Sequence, residues 1–168
     1  PTFITSRNAV VNNMNGVGST NTAISAVNLN KTILFNAGGR TGSSAADTRT
    51  ASLMVNSTTV RGIVGGTGDS NSYANAQVLE FAQGMTSVQS GSITIATGST
   101  SNTLTITSVD TSKSVVIFSG GTAATSTQAA STSMGHVVLT NATTVTATRG
   151  ASSVSQAITL YFMVVTFV

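Results

Sequence analysis

The sequence contains two similar halves, and this internal repeat constrains the fold more than any other feature. Matching segments occur in the same order in residues 1–84 and 85–168, at separations of about 81 to 86 positions. Repeats of this kind indicate a recurring structural unit. We therefore predict two units that meet near Gly84. The most specific matches are Lys31 with Lys113, Gly38-Gly39 with Gly120-Gly121, and residues 56–60 with residues 141–145.

Each unit has the pattern of a small antiparallel β-sandwich. Ser and Thr make up 54 of the 168 residues, and β-branched residues such as Thr favour strands. Apolar and hydroxyl side chains alternate from Leu104 to Thr107, which is typical of a sheet with one face in water. The predicted fold class is all-β, with two tandem antiparallel β-sandwich units and negligible helix. The predicted strands are 8–13, 22–27, 32–36, 51–55, 59–64 and 75–82 in the first unit, and 92–97, 104–109, 114–118, 135–140, 144–149 and 157–168 in the second.

Two kinds of connection are predicted between these strands. Asn56-Ser57 and Asn141-Ala142 lie between consecutive strands and indicate tight turns. A longer polar loop follows the Gly pair in each unit, at 40–50 and at 122–134, and neither loop has a helical period. Because loops at a surface commonly carry contacts, we expect both loops to be exposed contact segments.

The charge content argues against several classes of partner. Only 7% of the residues are charged, and the seven cations are scattered singly along the chain. A nucleic-acid binder concentrates its cations on one surface, so no nucleic-acid partner is expected. No segment reaches the roughly 18 to 20 apolar residues of a membrane-spanning helix, so no membrane partner is expected either.

The residues that usually carry chemistry are few and dispersed. His136 is the single histidine, there is no cysteine, and the four acidic residues are spread along the chain. Catalytic histidines and metal sites both need several convergent groups. We therefore interpret His136 as structural, and we predict no enzyme activity, no cofactor, no metal ligand and no catalytic residue. The acidic residues are Asp47, Asp69, Glu80 and Asp110.

The C-terminal segment 157–168 is apolar on both faces when it is read as a strand. An antiparallel strand at a surface keeps one polar face, so both faces of this strand are expected to be covered. Two coverings remain open at this point: the sister unit or a long loop, and a second subunit. For the second case we expect a homo-oligomer, a trimer or a dimer, with a contact at or near Tyr161, Met163, Val165 and Phe167.

Four runs of the second unit share a common character, 92–98, 105–117, 139–150 and 162–167. They resemble β-modules in virion proteins of tailed bacteriophages. The resemblance covers about half of the chain, and it reaches the first unit through the repeat alone. Modules of this kind have no catalytic motif, so the resemblance implies no active-site residue.

The resemblance implies a structural protein of the virion, assembled in the host cytoplasm. The leading hypothesis is a capsid decoration or cement protein that binds other virion proteins such as the major capsid protein. A tail or tail-fibre component that contacts the host surface is the alternative. A bacterial surface adhesin is a third hypothesis, and an enzyme is a distant fourth because no charged constellation is present.

Overall fold

The computed structural model describes residues 3–13, 18–40, 49–65, 73–123, 129–153 and 156–168. Strands dominate these residues, which confirms the predicted all-β class. A 3-10 turn at Leu29–Lys31 and a helix, α1, at Ala130–Ser133 are the short exceptions. The strands are β1 Ile4–Asn13, β2 Ser19–Ala23, β3 Thr32–Arg40, β4 Thr50–Asn56, β5 Thr59–Val64, β6 Tyr73–Phe81, β7 Met85–Ile95, β8 Ser101–Thr105, β9 Ser114–Ala123, β10 Gly135–Asn141, β11 Thr144–Arg149 and β12 Ile158–Phe167.

Each predicted strand overlaps one of these twelve strands, and the largest differences lie at strand ends. The predicted strands 22–27 and 104–109 end early, at Ala23 and Thr105. The backbone leaves the sheet ladder there, because the following amides bond to a neighbouring turn. Ile24 N donates to Thr58 O and Ile106 N donates to Thr143 O. Alternation of apolar and polar side chains does not distinguish such a segment from a strand. The sequence pattern therefore predicts both strands as longer than they are.

The strands form three antiparallel sheets. The first sheet has the order β1-β6-β3, and the second has the order β10-β11-β8. The third sheet has six strands in the order β2-β5-β4-β9-β12-β7, so it contains strands from both halves of the chain. The two halves of this sheet meet where Ala51 of β4 pairs with Gly120 of β9.

Two main apolar clusters fill the interior. Val60 of β5 belongs to the first cluster and Val145 of β11 to the second, and both are fully buried. Strand β12 contributes to both clusters because successive side chains point to opposite faces. Its residues Leu160, Phe162 and Val164 lie in the second cluster, whereas Met163 and Val165 lie in the first.

The predicted tight turns are confirmed, and the asparagine side chains stabilise them. Asn56 Oδ1 accepts a hydrogen bond from Thr58 N, and Asn141 Oδ1 accepts one from Thr143 N, both at 2.9 Å. Asparagine favours turns because its side chain can bond to the backbone two residues ahead.

The long loops are described in part. Loop 122–134, which has no helical period in its sequence, contains one short helical turn, α1, near its end. Ser133 Oγ donates to Ala129 O at 2.7 Å and closes that turn locally. A single four-residue turn has no periodic apolar face, so the sequence pattern could not reveal it. The predicted contact segments 41–48 and 124–128 lie outside the described residues.

Candidate contact surfaces

The four predicted interface residues of β12 have different environments. Met163 and Val165 are buried within the chain, in a cluster that includes Leu34 and Val60 of the first half. Leu34 N also donates to Met163 Sδ at 3.3 Å. These two side chains are therefore covered by the first half of the same chain and have no free surface. Tyr161 is half-buried and Phe167 is exposed, so the predicted contact with a second subunit now depends on these two residues.

The junction between the halves depends on a glycine. Gly120 has a φ of +108°, a backbone conformation that side chains disfavour. A Cβ at this position would overlap the carbonyl oxygen of Thr50 and lie 2.7 Å from Ala51 Cα. Asn36 Nδ2 donates to Thr50 O at 2.9 Å and holds this segment of β4 in place. The close approach of β4 and β9 therefore requires glycine at position 120.

A cleft of about 230 Å³ opens beside this junction, and we call it the junction cleft. The buried hydroxyls of Ser52 and Ser119 have no hydrogen-bond partner among the described protein groups. A hydroxyl can both donate and accept, so the cleft offers two such groups to a neutral molecule. The remaining lining residues are Leu34, Leu53, Met54, Ser90, Gly91, Ser92, Tyr161, Phe162 and Met163, and none of the lining side chains is charged.

A second cleft of about 400 Å³ lies between the bases of the two long loops, and we call it the loop-end cleft. Arg49 and Thr50 at the end of the first loop face Ser133 and Met134 at the end of the second. Arg49 Nη2 donates to Ser133 Oγ at 2.6 Å, which ties the two loop bases together. The remaining lining residues are Asn36, Gly38, Gly39, Phe118, Gly120, Gly121, Gly135 and Leu160.

The loop-end cleft exposes two large apolar side chains. Phe118 and Met134 both line it, and both are exposed to solvent. Apolar side chains grouped at a surface mark contact sites more often than isolated ones do. The described bases of the predicted contact loops therefore meet around a surface suited to burial against a partner.

Arg149 is a structural residue that the sequence analysis missed. Its exposed fraction is 2%. The guanidinium donates to four backbone carbonyls from three segments of the second half. Nε donates to Ser99 O at 2.9 Å, Nη2 to Ala96 O at 2.8 Å, and Nη1 to Thr132 O and Gln156 O, both at 2.9 Å. The sequence did contain one indication that Arg149 is buried. Val145, Ala147 and Arg149 occupy alternate positions, which places all three on the inward face of β11.

The residues that could act in catalysis or bind a metal ion are dispersed in the described part of the chain. His136 lies on β10, opposite Thr148, and its side chain is exposed. Within the described ranges, no three His, Cys, Asp or Glu side chains are close enough together to hold a metal ion. The Ser112 hydroxyl and amide donate to Asp110 and lower the pKa of its carboxyl. Asp47 and Asp69 lie outside the described residues.

Replacing His136 with alanine is expected to change the free energy of unfolding by about 0.5 kcal/mol or less, as for other exposed substitutions. The side chain is exposed and belongs to no described cluster of ligands. Urea denaturation of the two proteins, each with and without EDTA, measures both effects. A metal-dependent midpoint that His136→Ala abolishes would contradict this interpretation.

Among the described residues, no helix has the length and apolar character needed to cross a membrane. No protein-family model, curated protein or solved structure matches the chain.

Proposed function

We propose that the chain consists of two copies of one six-stranded sandwich unit, 1–84 and 85–168, and that it is a non-enzymatic structural protein of a bacteriophage virion. In this proposal it decorates the capsid and binds the shell protein. The arrangement of the strands supports the repeat, and the loop-end cleft supports the role in contacts.

Strand order supports two copies of one unit. In each half, the first, sixth and third strands are adjacent in one sheet in that order, β1-β6-β3 and β7-β12-β9. The second, fifth and fourth strands are also adjacent in that order, β2-β5-β4 and β8-β11-β10. Six strands can be ordered in many ways, so the recurrence of both orders favours a shared unit.

The register of the strands also recurs between the halves. Leu34 pairs with Val78 as Val116 pairs with Val164. Irregularities in the ladder fall at corresponding places as well, after Met54 in the first half and after Leu139 in the second. Register is sensitive to a slip of one residue, so this agreement supports correspondence residue by residue.

Hydrogen bonds outside the ladders follow the same correspondence. Val27 N donates to Ser57 O and Val109 N donates to Ala142 O, both at 2.9 Å. Asn56 and Asn141 also correspond, since each side chain accepts a hydrogen bond from the backbone amide two residues ahead. These contacts lie in connections, where sequence and length vary most easily, and their recurrence therefore strengthens the proposal.

The loop-end cleft is the observation that carries the proposed structural role. Both loop bases meet there, and the exposed side chains of Phe118 and Met134 both line the cleft. A protein with few charges and an exposed apolar site is suited to docking on a repetitive partner such as a capsid shell, because little like-charge repulsion opposes packing.

The substitution Met134→Glu tests this surface. Met134 has an exposed fraction of 60%, so the change is expected to preserve the fold while placing a carboxylate in the contact. Phe3→Glu is the matched control, since Phe3 has an exposed fraction of 61%. Phe3 precedes β1 at the end of the sheet β1-β6-β3 that is opposite to Arg40. The control is expected to retain its place in the particle.

Image reconstruction of purified particles measures the outcome. We expect density for the chain at regular positions over the shell, lost with Met134→Glu and retained with Phe3→Glu. Density confined to the tail would support the tail or fibre alternative instead. Particles that lack the chain altogether would contradict a virion role.

A further inference from the structure

We propose that copies of this chain associate head to tail, with β10 of one copy pairing at Gly38 of β3 of the next in the way that β4 pairs with β9 at Gly120 inside the chain. This inference rests on the repeat proposed above. The partner is a second copy of the chain.

The internal junction supplies the template. Ala51 of β4 pairs with Gly120 of β9, and the neighbouring Ser119 is buried. The outer face of β12 packs on the first half through Met163 and Val165. The first half therefore offers the edge of β4, and the second half offers β9 together with a sheet face.

The corresponding residues of the first half are uncovered. Register places Gly38 at the position of Gly120, and Ala37 at the position of Ser119. Ala37 and Gly38 are exposed. A Cβ at Gly38 would have no atom within 4 Å, although its φ of +87° resembles that of Gly120. The first half thus keeps the glycine conformation of the junction, and the space that a Cβ at position 38 would fill is open.

Two side chains on the sheet face next to Gly38 are also less covered than their counterparts, although Ile33 on the same face is buried in the first cluster. Phe35 corresponds to Ile117, and Leu79 corresponds to Val165. Ile117 is half-buried and Val165 is fully buried at the internal junction. Phe35, in contrast, has an exposed fraction of 39%, and Leu79 is half-buried. A neighbour placed as the first half is placed on the second would cover both side chains.

The complementary edge lies on β10. This strand is terminal in the sheet β10-β11-β8, as β4 would be without β9. His136 corresponds to Ala51 and Val138 corresponds to Leu53. Ala51 is fully buried and Leu53 is half-buried, but His136 is exposed and Val138 has an exposed fraction of 46%. A terminal strand with free backbone groups is a template for pairing with another chain.

Association of this kind is heterologous, because β10 and β3 are different surfaces. Such an interface produces a closed ring when the rotation closes and an open filament when it does not. A second copy is the partner that the observations favour, since the two halves of one chain already show the two surfaces in contact. The surfaces are continuous with that internal junction.

Two variants that block the two different surfaces provide the test. Phe35→Glu blocks β3 and Val138→Glu blocks β10, and each is expected to weaken self-association by about tenfold or more because it buries an unpaired carboxylate. Ala37→Glu is a second variant on β3 in case Phe35→Glu unfolds. Leu29→Glu is the control, because Leu29 has an exposed fraction of 42% and lies in the 3-10 turn before β3, at the end of that strand opposite Gly38.

Analytical ultracentrifugation, with circular dichroism to verify folding, measures the result. We expect the wild type and Leu29→Glu to form larger species as concentration rises, and each blocked variant to stay monomeric. Mixing Phe35→Glu with Val138→Glu is expected to give dimers of one copy each, because each chain keeps one intact surface and growth then stops.

The proposal is overturned if the wild type stays monomeric at high concentration, or if folded β3 and β10 variants assemble like the wild type. Wild-type assembly without dimers in the mixture would also overturn it, since an interface between identical surfaces gives that result. Particle reconstructions test the virion role separately, so a chain that decorates particles but fails these experiments refutes the self-association alone.

Discussion

Replacing Arg149 with alanine is expected to reduce the free energy of unfolding by about 3 to 5 kcal/mol, because buried charge-assisted hydrogen bonds are among the costliest to remove. The substitution leaves four carbonyl oxygens, those of Ala96, Ser99, Thr132 and Gln156, without the donors that Arg149 supplies. Ala96 O keeps a hydrogen bond from Ser99 N, but the buried bond to Gln156 O is lost, and three chain segments lose their common anchor. Urea denaturation followed by circular dichroism measures the loss.

Arg149→Lys separates charge from geometry. Lysine keeps the positive charge but has one ammonium group, which cannot reach the four carbonyls that the planar guanidinium bridges. We therefore expect Arg149→Lys to lose about 2 kcal/mol, roughly half of the alanine effect.

The control for Arg149 is Arg61→Ala. Arg61 lies on β5, in the corresponding sheet of the first half, and its Nε donates to Asn21 Oδ1 at 2.9 Å in an exposed setting. The expected change is about 0.5 kcal/mol or less, as is usual for a surface substitution. An Arg149→Ala midpoint that differs from the wild type no more than the Arg61→Ala midpoint does would contradict the anchoring role.

Gly120→Ala is expected to cost about 3 to 4 kcal/mol of unfolding free energy, because it combines a disfavoured backbone conformation with an overlap that cannot relax. Two of the atoms that its Cβ would meet, Thr50 O and Ala51 Cα, belong to the backbone of β4. The variant must either separate β4 from β9 or strain both strands. Thermal unfolding and urea denaturation measure the loss.

Gly38→Ala is the matched control for Gly120→Ala. Gly38 also has a positive φ, +87°, but a Cβ there meets no atom within 4 Å. Only the backbone term remains, so the expected cost is about 1 to 2 kcal/mol. Equal costs at the two positions would show that close packing at the junction contributes nothing.

The positions of the strands could be predicted from the sequence because they depend on local patterns. Alternation in β11, from Val145 to Arg149, defines both the strand and its inward face. The turns at Asn56 and Asn141 are equally local, since each asparagine bonds to its own backbone two residues ahead. Features that depend on neighbouring residues in the chain were therefore predictable.

The covering of β12 was not predictable from its own residues. Apolar side chains on both faces indicate that both faces are buried, but they do not identify what buries them. Met163 and Val165 pack on Leu34 and Val60, which are distant in sequence. The pairing of Ala51 with Gly120 is equally nonlocal, and it leaves no periodic signal in either strand. The anchor formed by Arg149 depends on three separate segments for the same reason.

A crystal structure of the chain tests the central claim, that the halves are two copies of one unit joined through β4 and β9. We expect β1–β6 to superpose on β7–β12 strand by strand, with Leu34 opposite Val78 and Val116 opposite Val164, and with Ala51 paired to Gly120. A structure in which the halves differ in strand order or register, or in which their strands form one undivided barrel, would contradict the account.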